Sequence, residues 1–183
     1  AETMGQDRRH PVEESSLTTS TLGYGLTAEQ TRALAHLTCE SGALACLQGH
    51  AGAGKSHMLA AARDVWHEAG FTVRGAALSG KAAEGLEHAS RIPSQTLHSL
   101  LRDLDQGRNQ LDAKTVLVVD EAGMVGSRQM ATLVTRAEDA GAKLVLVGDA
   151  GQLQAIDAGA AFRAIHERVG GAELTDVRRQ RLQ

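Results

Sequence analysis

The sequence predicts an α/β fold in which a parallel sheet is covered by helices on both faces. Three observations carry that expectation. Short apolar runs alternate with longer helix-like stretches along the chain. The clearest runs, 115–119 (TVLVV) and 143–147 (KLVLV), show no alternation of polar and apolar residues, as strands buried on both faces do. A glycine-rich turn, 49–56, joins one apolar run to a helical stretch.

Residues 1–21 are polar, with Ser/Thr clusters, Arg8-Arg9 and Glu13-Glu14, and read as a linker or an ordered extension. The body, 22–183, reads as one domain. Residues 27–41 read as a helix, with Thr27 as N-cap and Gln30 completing a capping box. Residues 43–47 form a short apolar run just before Gly49 and read as a buried strand. An Ala-rich helix over 57–69 is closed by Gly70, and 71–78 reads as a second strand. Helices are expected over 80–89 and, after Pro93, over 94–104. The strand 115–119 precedes a helix over 127–140 that Gly141 stops. The strand 143–147 ends at Gly148, and 160–169 reads as a last helix.

Composition narrows the function. The chain has 183 residues, about one domain's worth. Its 42 % hydrophobic content suffices for a packed core. With 19 Lys and Arg against 22 Asp and Glu, the net charge of −3 disfavours a nucleic-acid binder that works by charge alone. The aromatics are Tyr24, Trp66, Phe71 and Phe162, too few to stack a run of bases; Trp66 and Phe71 read as core. Cys39 and Cys46 form no CxxC pair, which disfavours a disulfide scaffold or zinc ribbon and fits the cytoplasm. The histidines are scattered without ligand spacing. No apolar run approaches the roughly 18 residues of a membrane span. The ends, Ala1 and Gln183, read as those of a piece of a longer protein.

Gly49-His50-Ala51-Gly52-Ala53-Gly54-Lys55-Ser56 fits GxxxxGK[ST] between a strand and a helix. Small residues let backbone N–H groups encircle phosphates, and the helix N-terminus adds its dipole. Lys55 is expected on the β- and γ-phosphates of ATP and the Ser56 hydroxyl on Mg²⁺. Asp120 and Glu121 end the strand 115–119. They are read as the metal carboxylate and the residue that positions or deprotonates the attacking water. The polar segment 148–154, after the next strand, is a candidate sensor of the γ-phosphate.

The strings LTAEQ, GHAGAGKS, SGKAAEGL, SQTLHSLL, VLVVDEAGM, LVGDAGQLQAI and ELTDVRRQ occur in that order. Together they resemble the first RecA-like motor lobe of superfamily 1 DNA helicases. They are most similar to the helicase region of conjugative-transfer relaxase proteins and to the RecD class. The resemblance implies a P-loop NTPase that couples ATP hydrolysis to movement on single-stranded DNA. It further implies a second RecA-like lobe of the same parent protein and other conjugation proteins as partners. By the same resemblance Gln30 reads the adenine edge, besides its capping role. Gln152 links the γ-phosphate to DNA, and Arg179, preferred over Arg178, contacts the γ-phosphate; both arginines, with Arg181, also fit a solvated basic terminus. Ser79, Lys81, Thr96 and His98 match DNA-contacting positions. Ser79 and Lys81 equally suit a helix start and a solvated charge, and His98 a surface histidine. A P-loop ATPase acting on RNA or protein, and a nucleotide-binding module without catalysis, stay open as alternatives.

Overall fold

A computed structural model describes residues 2–6, 10, 12, 14–149 and 159–175. Its strands are β1 (Leu44–Gly49), β2 (Thr72–Ala77), β3 (Ser94–Thr96), β4 (Thr115–Val119), β5 (Lys143–Gly148) and β6 (Ala172–Leu174). Its helices are α1 (Glu2–Gln6), α2 (Glu14–Tyr24), α3 (Ala28–Ala35), α4 (Lys55–Glu68), α5 (Gly80–Ser90), α6 (Leu97–Asp105), α7 (Ser127–Ala140) and α8 (Ala160–Val169). The strands form one sheet in the order β3-β2-β4-β5-β1-β6, and every pairing is parallel.

The unbroken apolar strands are explained by the two cores they separate. Leu44, Cys46, Leu117, Val119, Leu144 and Leu146 face one side, against α6, α7 and α8. Their neighbours Ala45, Leu47, Val116, Val118, Val145 and Val147 face the other, against α3 and α4. Trp66, on α4, is fully buried in the second core, and Phe71 is half-buried at its margin.

Most expected elements form where the sequence places them; the differences have local causes. The helix expected over 94–104 begins only at Leu97. Ser94–Thr96 is instead the edge strand β3, paired with β2 from Gly75↔Ser94 to Ala77↔Thr96, and the Thr96 hydroxyl then caps α6 by accepting the Ser99 N–H at 3.2 Å. Gly75 permits this approach, because a Cβ there would collide with the Ser94 hydroxyl. The helix expected over 27–41 is α3 followed by a π-helical turn, His36–Glu40. Buried Lys143 closes that turn, donating to the Gly42 carbonyl at 2.6 Å and the Ser41 hydroxyl at 3.1 Å. The strand β6 has no counterpart in the sequence reading. Within the polar segment 1–21, α1 and part of α2 are helical. Met4 of α1 is buried in the first core, and the Tyr24 hydroxyl at the end of α2 donates to Asp64 of α4 at 2.5 Å.

The capping box of α3 forms in both halves: the Gln30 N–H donates to Thr27 Oγ1 at 3.2 Å and the Thr27 N–H to Gln30 Oε1 at 3.1 Å. Losing such a cap costs about 1 kcal/mol. Thr27→Ala is therefore expected to lower Tm by about 2–4 °C in a chain of this size, read by thermal melting.

Candidate active site

All strands point the same way, so their C-terminal ends share one edge of the sheet. The loop from Gly49 to Ser56 leaves that edge after β1 and enters α4 at Lys55. Gly52 and Gly54 take φ of +82° and +78°, the left-handed region that only glycine adopts cheaply. A Cβ on Gly54 would also strike the Gln30 amide nitrogen. That nitrogen donates to the Ala53 carbonyl at 3.4 Å, so α3 braces the loop from outside. Lys55 Nζ bends back over the loop and donates to the Gly49 carbonyl at 2.6 Å and the His50 carbonyl at 3.0 Å. The ammonium is thus held by neutral acceptors, which an anion outcompetes. Ser56 lies in the first turn of α4, at the positive end of the helix.

Asp120 and Glu121 follow β4, which is separated from β1 by β5 alone. The Asp120 N–H still joins the ladder, donating to the Ala76 carbonyl at 2.9 Å. Its carboxylate accepts the Glu121 N–H at 2.8 Å. Burial pushes the Asp120 carboxyl above its ordinary range. The Glu121 N–H and the Lys55 ammonium oppose that rise, and the Asp149 carboxylate adds to it. Asp120 therefore feels both Lys55 and Asp149, which follow two other strands. Glu121 is also raised, first by burial and then by Asp120. Its backbone sits at φ +54°, strained for a side chain with a Cβ. An acid held above its usual pKa suits proton transfer.

Ser56 and Asp120 offer the hard oxygen donors that Mg²⁺ takes alongside phosphate oxygens. They fit the ion, since Asp120 keeps acceptor capacity beyond its bond to Glu121. Among the described residues no group of three or more His, Cys, Asp or Glu side chains is arranged to hold a metal by itself.

Ser79 and Thr96 stand near the ends of β2 and β3, and both are helix N-caps: the Ser79 hydroxyl accepts the Ala82 N–H at 3.1 Å, as Thr96 does that of Ser99. Lys81 and His98 are exposed in the first turns of α5 and α6. Gln152, Arg178, Arg179 and Arg181 lie outside the described residues. Asp149, read in the sequence as part of the segment 148–154, adds its charge beside Asp120. One neighbour of the loop was not singled out in the sequence. Leu174 of β6 packs on Gly49, where a Cβ would come within 2.9 Å of the Leu174 carbonyl oxygen; no periodicity announces a strand of three residues.

A sequence profile of the AAA domain family matches residues 25–183. The chain belongs to the AAA domain family. It is 56 % identical over 160 residues to a probable conjugal transfer protein TraA of Sinorhizobium fredii, covering 86 % of this chain and 14 % of that protein. It is 36 % identical over 160 residues to the ATP-dependent RecD2 DNA helicase of Deinococcus radiodurans, covering 85 % of this chain and 22 % of that one. The chain thus spans less than a quarter of the length of these curated relatives. Its fold is shared with the Pif1 helicase of Candida albicans, at a TM-score of 0.55 and 19 % identity, over 85 % of this chain and 41 % of that one. No helix among the described residues is long and apolar enough to cross a membrane.

Proposed function

We propose that this AAA domain is the ATP-binding motor lobe of a DNA helicase acting in conjugative plasmid transfer, and that it couples ATP hydrolysis to movement on single-stranded DNA. One observation carries the reading: the phosphate loop after β1 and the acid pair after β4 meet at one sheet edge, with Lys55 electrostatically coupled to Asp120. The likeness to the TraA and RecD2 proteins supports the DNA substrate and the conjugative setting.

ATP lies along the loop 49–56, with Gly49, His50, Ala51, Gly52, Ala53 and Gly54 supplying backbone around the phosphates. Lys55 exchanges the Gly49 and His50 carbonyls for the β- and γ-phosphates. Ser56 and Asp120 hold Mg²⁺, which screens the phosphate charge when bound. Glu121 takes the proton of the attacking water, Gln152 senses the γ-phosphate, and Arg179 contacts it. Gln30 keeps one amide hydrogen and one lone pair beyond its bonds to Ala53 and Thr27, enough to read an adenine edge. On the DNA side, Ser79, Lys81, Thr96 and His98 line the starts of α5 and α6, where helix N-termini and an ammonium face phosphates. A second RecA-like lobe completes the motor, a relaxase and other conjugation proteins belong to the same machinery, and the setting is cytoplasmic.

Titration with ATP in the presence of Mg²⁺ tests the core of this reading. Lys55→Ala removes a charge-assisted contact worth about 1.5–3 kcal/mol, so affinity is expected to fall about 10- to 150-fold. Equal affinity of the two proteins would remove the nucleotide from this loop. Binding of single-stranded DNA that weakens steeply with salt, and is not matched by RNA, supports the DNA substrate; a preference for RNA overturns it.

A further inference from the structure

The side chain next to Gln30 makes a contact that the sequence motifs do not announce. Glu29 Oε1 accepts two hydrogen bonds from Thr175, one from its N–H at 2.8 Å and one from its hydroxyl at 2.7 Å. Thr175 is the first residue beyond β6, an edge strand of three residues paired with β1 at Leu47↔Ala172, Gln48↔Glu173 and Gly49↔Leu174. So short a strand has little ladder to hold it. Its last residue, Leu174, is buried and packs directly on Gly49, the first residue of the phosphate loop. The first turn of α3 therefore grips the loop twice. Gln30 holds Ala53 directly, and Glu29 holds the strand end that presses on Gly49.

We infer that Glu29 is a positioning residue for nucleotide binding: by fastening Thr175 it fixes the end of β6 against Gly49 and so sets the mouth of the phosphate loop. The inference rests on the nucleotide site proposed above. A carboxylate near a site for polyanions is unfavourable by charge alone, yet this one is engaged by two donors. An acid in the first turn also favours the helix through its dipole, and that simpler role is separable. Glutamine keeps the acceptor oxygen and loses the charge; alanine loses both.

The test is equilibrium titration of the 183-residue chain with fluorescent ATP and ADP analogues, alongside thermal melting. Glu29→Ala is expected to weaken both nucleotides about tenfold. Glu29→Gln should remain within about twofold of wild type, because one oxygen still accepts from Thr175. Thr175→Val keeps the N–H and loses the hydroxyl, so it should fall between them. Glu29→Gln should melt close to wild type, whereas Glu29→Ala and Thr175→Val give up hydrogen bonds and should melt a few degrees lower. Gly70→Ala, where an added Cβ meets nothing within 4 Å, should also melt lower but bind as wild type does, which separates affinity from stability. The inference is overturned if Glu29→Ala binds as wild type does, if Glu29→Gln loses as much as Glu29→Ala, or if the losses simply follow Tm. A wild-type chain that binds neither analogue overturns the nucleotide site and this inference together. Wild-type binding that depends on Lys55 and is indifferent to Glu29 overturns this inference alone.

Discussion

Glu121→Gln is expected to cut ATP turnover by about 10²–10⁴-fold, the usual worth of a positioned general base, while leaving ATP affinity near wild type. The amide keeps the size of the side chain and can still orient water, but it accepts no proton. Single-turnover hydrolysis with single-stranded DNA present, set beside an equilibrium titration, separates the two quantities. A second effect runs the other way. The Glu121 carboxyl is raised by burial and by Asp120, so its charged form is disfavoured in the folded chain. For such a group, stability is highest below the ordinary carboxylate range and is lost as pH rises through the raised pKa. At neutral pH the wild-type chain bears that cost, and glutamine removes it. Tm of Glu121→Gln should therefore exceed wild type at pH 7, and the gap should narrow as the pH is lowered. Asp120, raised for the same leading reason, predicts the same direction for Asp120→Asn. Unchanged or faster hydrolysis in Glu121→Gln would remove Glu121 from the role of base, and a Tm below wild type at neutral pH would remove the burial cost.

That conflict between stability and chemistry bears on what the sequence could reveal. The sheet was legible because its physics is local and repeated. Runs such as 115–119 are apolar at every position, and only a sheet with two covered faces uses such strands. The turn 49–56 between β1 and α4 was legible because Gly52 and Gly54 take left-handed backbone and Lys55 begins a helix, so residue type and spacing are both constrained. Asp120 and Glu121 were legible as acids at a strand end, but their raised pKa values were not, since these depend on burial and on the neighbouring acid charges. Ser94–Thr96 misled because three polar residues carry no strand period. Their extended form is set by Gly75 in the neighbouring strand, and Thr96 reads as helix interior until its hydroxyl is seen capping α6. The polar segment 1–21 hides single apolar anchors such as Met4, whose burial depends on a surface built from residues far along the chain. The bond from Glu29 to Thr175 spans 146 positions, and no local pattern carries such a contact.

Gly54→Val is expected to abolish useful ATP binding, with affinity falling about 10²–10³-fold. Three costs coincide at this position. Its φ of +78° is strained for any residue with a Cβ, by about 1–2 kcal/mol, and more for a β-branched one. The new Cβ strikes the Gln30 amide nitrogen. Moving that amide breaks its bond to Ala53 and one half of the α3 capping box, each worth about 1 kcal/mol. The loop can escape only by opening, which dismantles the phosphate cradle. Gly70 supplies the control. It has a φ of +86° at the end of α4, and a Cβ there meets nothing within 4 Å. Gly70→Ala should lower Tm through backbone strain alone and leave ATP affinity unchanged. Gly54→Ala, with the strain and the collision but no branching, should lose both stability and affinity, less severely than valine. Should Gly54→Val bind ATP as tightly as wild type, the cradle would not need the left-handed turn, and the phosphate site would have to lie elsewhere on the sheet edge.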